Sequence, residues 1–556
     1  MTLRSGGQIL VDQLKIHGAR HVFCVPGESS LAVLDALHDA DIATMVCRQE
    51  GGAAYMAEAV GKLTGRPGIA MVTRGPGATN ASPGIHIASQ DSTPMILFVG
   101  QVARDMKERE AFQELDYKAV FGSMAKWVVE IDCAERIPEI VSRAYHVAMQ
   151  GRPGPVVVAL PEDMLTDRVA VADAMRAEPV LVRPAAQDMQ ELQRRLLASN
   201  RPIVLAGGSG WTAEGSADLQ RFAESFRLPV AVTFRRQMLF PADHPNFAGD
   251  LGIGPNPRLL KRIQESDLVL LVGGRLSEMP SQSYTLLDIP GNGAKLVHVH
   301  PGTEELNRVY RAGLGIAATP TAFAAAAAEL PRPNDLPWGE SAAMAHAEYL
   351  AWSDPAPIRT AGDVQMSEVM VHLRRVLPAD SIFCNGAGNY ATWVHRFWPF
   401  RAYGSQLAPT SGSMGYGVPA AVAAKALEPG RTVIAFAGDG CFMMNGQEFA
   451  TAIQYRLPII VVVVDNGMYG TIRMHQEREY PGRISATALT NPDFAALARA
   501  YGGHGETVRK TGEFPAALQR AIDSGLPAII DCLIDPEAIT PARSLSEIRN
   551  AARRPA

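Results

Sequence analysis

An aspartate between two glycines closes the apolar run IAFAGDG at Ile434 to Gly440, and an asparagine closes the next one, PIIVVVVDN, at Asn466. Each run has the length and Val/Ile content of a buried strand. In an open parallel sheet, ligands bind beyond the carboxyl ends of the strands, where loops carry polar groups and helix N-termini point outward. Gly438 and Gly440 let backbone amides approach a bulky anion, and the helix that follows turns its positive end toward phosphate. A bare carboxylate would repel that anion, so a hard cation belongs between them. With 25 residues separating Gly440 from Asn466, neighbouring strand ends can supply an Asp439 oxygen, an Asn466 oxygen and a backbone carbonyl. Magnesium takes six oxygens at about 2.0–2.1 Å and commonly keeps substrate phosphates among them. Alone, GDG is a turn and Asn466 a helix cap; the two together, each after a strand, carry the metal–phosphate reading.

The elements that must position these residues follow from length and patterning. A chain of 556 residues, 47% hydrophobic and 20% charged, has room for three or four domains of about 100–200 residues. A net charge of −5 leaves no basic surplus for nucleic acid. The six cysteines are far apart, with no CxxC pair, and read as reduced, mostly buried thiols. The longest purely aliphatic stretch, Ile459 to Val464, is too short to span a bilayer. The expectation is a cytoplasmic protein with a small-molecule ligand and no nucleic-acid or membrane partner.

Two proline-rich breaks, EPVLVRPAA at Glu178 to Ala186 and PRPNDLPW at Pro331 to Trp338, cut the chain into three segments. Each alternates Val/Ile/Leu runs with helical patterns, among them GIAMVT and MILFVG, PIVLAGG and LVLLVGG, TVIAFAG and PIIVVVV. Apolar runs that do not alternate belong to parallel strands covered on both faces. The fold class is α/β, with three doubly wound parallel-sheet domains at 1–175, 185–332 and 355–540. An offset of 360 residues lays Val369-Met370-Val371 on Ile9-Leu10-Val11 and Ile382-Phe383-Cys384 on Val22-Phe23-Cys24, which suggests that the outer two domains are related and face one ligand.

The GDG…Asn pair resembles the diphosphate-binding signature of thiamine diphosphate enzymes. The resemblance covers essentially the whole chain, in the order pyrimidine-binding, central Rossmann-like and diphosphate-binding domain. Many members carry Asn-Asn where this chain has Asp465-Asn466; the second residue is kept. The resemblance implies thiamine diphosphate and Mg2+ as cofactors, with Asp439, Asn466 and the Met468 carbonyl as metal ligands. SGSMGYGVPAA matches the segment whose methionine, Met414, props the cofactor, preceded by Gly412. NGAGNYATW, with Gly388, Asn389 and Tyr390, matches a further diphosphate loop. Gly438, Gly440, Cys441, Tyr469 and Gly470 complete that side.

The cofactor becomes reactive when a carboxyl group hydrogen-bonds the far nitrogen of its pyrimidine ring. By resemblance Glu50, at the start of a helix in TMVCRQEGGAAYMAEAVGKLTG, supplies it, flanked by VPGES with Pro26 and Gly27 and by TRGPGATN with Asn80. An acid in a first helical turn also complements the helix dipole; the matching context favours catalysis. Gly27 and Gln113 are expected to contact the reacting groups, and Phe112, Thr471 and His475 the substrate. AFQELDYKAVFGSMAKW around Phe112 and Gln113 is similar to an acetolactate synthase segment. That branch implies a 2-oxo acid decarboxylase/carboligase acting as a homodimer or homotetramer, with active sites at the subunit interface. The paired histidines of pyruvate decarboxylases have no counterpart here. Alternatives are a benzoylformate-type decarboxylase, a 2-hydroxyacyl-CoA lyase or oxalyl-CoA decarboxylase type of enzyme, and a catalytically silent cofactor-binding protein, against which Glu50 argues. The central run GGRLSEMPSQSY keeps Arg275 but has Met279 where FAD-binding members have a second arginine, so an FAD or ADP site is only partly present and the domain reads as structural. At the position of a tryptophan that packs on the acceptor in acetolactate synthases stands His475, smaller and more polar.

Overall fold

Uninterrupted apolar runs need cover on both faces, and they receive it. The computed structural model of the protein describes residues 2–291 and 293–553. It contains three six-stranded sheets whose strand pairs are all parallel. Strands Met95–Gln101, Pro202–Ala206 and Leu268–Val272 are buried at every position, as sheets flanked by helices require. With strands numbered by sequence within each sheet, the first and third sheets share the order 2-1-3-4-6-5, and the central one has the order 3-2-1-4-5-6. The common order extends the internal repeat. Ile9 to Val11 and Val369 to Val371 lie on the helices Gly6–Ile16 and Met366–Val376, which precede the first strands His21–Cys24 and Ile382–Asn385.

The chain forms two compact units, one of Met1–Val180, Pro409–Pro429 and Asn445–Leu457, the other of Leu181–Ala408, Gly430–Met444 and Pro458–Ala556. Two pieces of the C-terminal third thus belong to the first unit. There, helix Glu50–Thr64 is buried along most of its length, and a charged cluster fastens it. Lys62 Nζ lies 3.1 Å from Glu58 and also pairs with Asp91. Glu58 accepts the Tyr416 hydroxyl at 2.5 Å and the Thr93 hydroxyl at 2.8 Å, while Asp91 accepts the Thr410 amide at 2.8 Å. Buried charges persist only when paired and hydrogen-bonded; here one ammonium serves two carboxylates and joins the helix to segment 409–429.

In the second unit the helix Gly470–Glu479 is locked to the helix Leu545–Arg553 through Glu477. That carboxylate, 1% exposed, accepts two bonds from Arg549 at 2.7 and 2.9 Å and two from Arg473 at 3.0 and 2.7 Å. The Arg549 guanidinium, the largest influence, holds Glu477 down at about 2. None of the six cysteines forms a disulfide among the described residues; five are buried and Cys133 is partly exposed. Among the described residues no helix is long and apolar enough to cross a membrane.

Candidate active site

Strand Val433–Gly438 ends at the glycine before Asp439, and strand Ile460–Asp465 ends one residue before Asn466. The two strands are neighbours, with Gly438 opposite Val464, so their ends deliver both side chains to one place. The Met468 amide donates to Asp439 Oδ2 at 3.1 Å and lies 3.3 Å from Asn466 Oδ1. Two oxygen acceptors therefore converge on a single N–H. Glycine is required around them. A Cβ on Gly440 would lie 2.6 Å from the Tyr469 ring, one on Gly470 2.9 Å from Asn466 Nδ2, and one on Gly438 3.0 Å from the Tyr390 ring.

The charge balance suits a cation. Asp439 is 2% exposed; burial pushes its carboxyl up to about 6 and the Asp465 carboxylate adds to this, against hydrogen bonds from Asn491 and Gly440. Asn491 donates to Asp439 and to Asp465, both at 2.8 Å. On the adjacent strand Ala528–Leu533, Asp531 is 4% exposed, and its Oδ1 has no hydrogen-bond partner among the described residues. Burial, then Asp465, pushes it up to about 7. The Asn491 amide thus bridges two carboxylates, with the charge of Asp531 felt nearby, and a small hard cation would neutralise this excess of negative charge. Among the described residues no three His, Cys, Asp or Glu side chains are placed to hold a metal by themselves, so such a cation would draw its remaining ligands from the Asn466 oxygen, backbone and phosphate.

The neighbouring loop closes this half. Gly388 has φ +145°, and a Cβ there would lie 2.7 Å from the Tyr390 ring. The Tyr390 hydroxyl accepts the Gly386 amide at 3.0 Å and lies 3.1 Å from Cys441 Sγ. Thr471 Oγ1 accepts the Asn389 amide and donates to Asn389 Oδ1, both at 3.0 Å. From Gly388 to Tyr390, Gly438 to Cys441 and Asn466 to Thr471, the sequence-derived residues of this half are brought together. His475 stands further along the helix Gly470–Glu479, half-buried, with Nδ1 2.8 Å from Arg478.

A second group of the sequence-derived residues lies in the first unit, around Thr73 to Asn80. Glu50 is the first residue of its helix, behind Gln49, whose side chain caps the Gly52 amide at 3.1 Å. Glu50 Oε2 accepts from Asn80 Nδ2 at 3.0 Å. Gly27 packs on Thr73, where a Cβ would approach to 2.4 Å, and Gly75, at φ +54°, packs on Gln113, which itself has φ +65°. Pro26, just before Gly27, is exposed. One loop thus gathers Gly27, Glu50, Asn80 and Gln113. Met414 follows Ser413, which bonds Tyr55 of the Glu50 helix at 2.8 Å; Gly412, at φ +70°, has open space where a Cβ would stand. Phe112 is 75% exposed, so it packs in no core. Asn491, Asp531 and Glu448 escape the sequence reading. Asp531 alone leaves a trace, an acid inside the apolar run AIIDCLI.

Three parallel α/β domains, with an Asp–Asn pair at adjacent strand ends and a helix-start glutamate, define a phosphate-cofactor enzyme, and comparison with known proteins specifies which kind. Residues 4–120 match the family described as thiamine pyrophosphate enzyme, N-terminal TPP binding domain; 189–327 match its central domain and 386–532 its C-terminal TPP binding domain. The acetolactate synthase isozyme 2 large subunit of Escherichia coli (strain K12) is 30% identical over 539 residues, covering 96% of each chain. The acetolactate synthase large subunit of Lactococcus lactis is 31% identical over 524 residues, 90% of this chain and 87% of that one. The chain belongs to the thiamine pyrophosphate enzymes, in the branch that resembles acetolactate synthase large subunits, and is a thiamine diphosphate-dependent enzyme.

Proposed function

We propose that this enzyme decarboxylates a 2-oxo acid and joins the remaining acyl carbon to a second carbonyl compound, using thiamine diphosphate and Mg2+. The observation that carries the reading is the convergence of Asp439 Oδ2 and Asn466 Oδ1 on the Met468 amide. Asp439, Asn466 and the Met468 carbonyl would hold the metal against the diphosphate, with Gly388, Asn389, Tyr390, Gly438, Gly440, Cys441, Tyr469 and Gly470 around it, and Met414, Gly412, Pro26 and Asn80 on the ring side. When bound, the cofactor supplies a carbon acid that adds to the carbonyl and accepts the electrons released as carbon dioxide leaves. Glu50, oriented by Asn80, would hold a proton for the pyrimidine nitrogen, and Gly27 and Gln113 would contact the reacting groups. A homodimer or homotetramer, with Glu50 from one copy and the Asp439 turn from another, is the assembly that the family resemblance supports, in a cytoplasmic enzyme.

A flavin fits the central domain poorly. Its switch point lies between strands Pro202–Ala206 and Leu268–Val272, where a dinucleotide would enter. The glycine turns there pack on each other, a Cβ on Gly208 lying 1.8 Å from the Gly273 carbonyl. The Trp211 indole donates to the Gly207 carbonyl at 2.7 Å, and Arg236 to that of Gly208 at 2.8 Å. With Met279 in place of a second arginine, these contacts support a structural role rather than an FAD or ADP site.

A second reading, a lyase or decarboxylase for a bulkier acyl substrate of the CoA-thioester or benzoylformate type, is favoured by one feature. Beside the His475 helix is a cavity of about 430 Å3 lined by Met474, Arg478, Arg543, Ile548 and Ala551. Product analysis separates the two. With a 2-oxo acid donor and a second carbonyl acceptor, the carboligase reading expects a hydroxyketone; aldehyde as the only product would favour the decarboxylase. His475→Trp, by narrowing the acceptor side, should shift products toward small acceptors and leave donor decarboxylation within about twofold, because one side chain's packing is worth about 1–3 kcal/mol of discrimination. An unaltered product ratio would remove Phe112, Thr471 and His475 as a substrate-facing set.

A further inference from the structure

Glu448 ends the short turn Gly446–Glu448 and is fully buried, yet it lies outside every phosphate- or metal-binding role assigned above. Its partners are the residues that lead into Glu50. Oε1 accepts the Arg48 amide at 3.0 Å and the Gln49 amide at 2.9 Å, and Oε2 accepts the Thr451 hydroxyl at 2.6 Å. Gly52 makes the approach feasible, since a Cβ there would lie 2.5 Å from Glu448 Oε1. On the same segment the Tyr455 hydroxyl accepts the Val46 amide at 2.7 Å and donates to the Thr44 carbonyl at 3.1 Å. Side chains of residues 448 and 455 thereby hold the backbone at 44, 46, 48 and 49, from strand Ala43–Val46 to the N-cap of the Glu50 helix.

Amides at a helix start have no intrahelical acceptor, and leaving buried ones unpaired is costly. A carboxylate also suits the positive end of the helix. Removing this acceptor frees the two residues immediately before Glu50, and a displacement of about 1 Å in a reacting group can cost about 10²-fold in rate.

We propose that Glu448 is a positioning residue for Glu50, fixing the strand-to-helix turn so that the Glu50 carboxyl keeps its bond to Asn80 and its reach to the cofactor ring. The proposal rests on the assignment of Glu50 made above, and the test separates the two. Exchange of the thiazolium proton, measured per bound cofactor in the full-length protein with thiamine diphosphate and Mg2+, is first compared in Glu50→Gln. Undiminished exchange there refutes the Glu50 assignment and the positioning role with it.

Where exchange depends on Glu50, Glu448→Gln keeps a carbonyl acceptor for both amides and should exchange within about twofold of the wild type. Glu448→Met, of similar length without an acceptor, should exchange at least about tenfold more slowly. Amide hydrogen exchange of the cofactor-free protein gives a second readout. The peptide containing Arg48 and Gln49 should lose protection in Glu448→Met and keep it in Glu448→Gln. Wild-type thiazolium exchange in Glu448→Met overturns the proposal, as does a Glu448→Gln protein as slow as the Met variant, which would make charge rather than positioning decisive. If Glu448→Met fails to fold, Tyr455→Phe decides: slowing of about threefold or more, the scale of one lost hydrogen bond, is expected, and an unchanged rate contradicts the proposal.

Discussion

Asp439→Ala weakens thiamine diphosphate binding by at least about a hundredfold and removes its dependence on Mg2+. Asp439 is the one carboxylate that shares the Met468 amide with Asn466, and it is buried where burial and Asp465 already disfavour its charge. A divalent ion held by Asp439 and Asn466 would reverse that balance by supplying compensating positive charge beside the cofactor's phosphates. Without the carboxylate the proposed metal site would lose the charged ligand assigned to it, and a hundredfold loss corresponds to about 2.8 kcal/mol. Calorimetric titration of the cofactor with and without Mg2+ checks this. The fold should survive, because the substitution also removes one of the charges, Asp439, that add to burial and Asp465 in pushing Asp531 up to about 7. Unchanged, metal-dependent binding in Asp439→Ala would place the metal elsewhere.

Glu50→Gln lowers turnover by about 10³-fold, within the usual range for loss of a positioned acid–base group, while cofactor affinity changes by less than about threefold. The amide can still accept the Asn80 bond seen at 3.0 Å, so the local structure persists; what is lost is a carboxyl able to share a proton with the pyrimidine nitrogen. Steady-state turnover and cofactor titration on the same preparations give the two numbers. A variant that binds cofactor and turns over normally would leave Glu50 as a dipole-complementing residue at the first position of its helix.

Much of the fold was legible because parallel sheets write themselves as uninterrupted apolar runs. Met95–Gln101 and Ile460–Asp465 were visible as strands for that reason, and the glycine-flanked Asp439 and the following Asn466 stand where strand ends must deliver them. Residues that act across long sequence separations left no such mark. Asn491 reaches Asp439 from an irregular segment 52 positions away, and Glu448 reaches Arg48 across 400. Nothing in local periodicity encodes either contact. In the central domain Trp211 and Arg236 likewise bond the carbonyls of the glycine turn at Gly207 and Gly208, contacts that the turn's own sequence does not announce. Phe112 reads from sequence as substrate-facing ahead of a core position, and its exposure removes the core position.

Decarboxylation of a 2-oxo acid by a cofactor held at Asp439 and Asn466 is the reaction proposed for this enzyme. Its most direct test is carbon dioxide release from a panel of 2-oxo acids incubated with the purified full-length enzyme under three conditions: with thiamine diphosphate and Mg2+, with the cofactor and a chelator, and with neither. The account predicts release from at least one 2-oxo acid in the first condition, falling to the uncatalysed rate in the other two. No release from any member of the panel, in a preparation shown by titration to bind thiamine diphosphate, would contradict it.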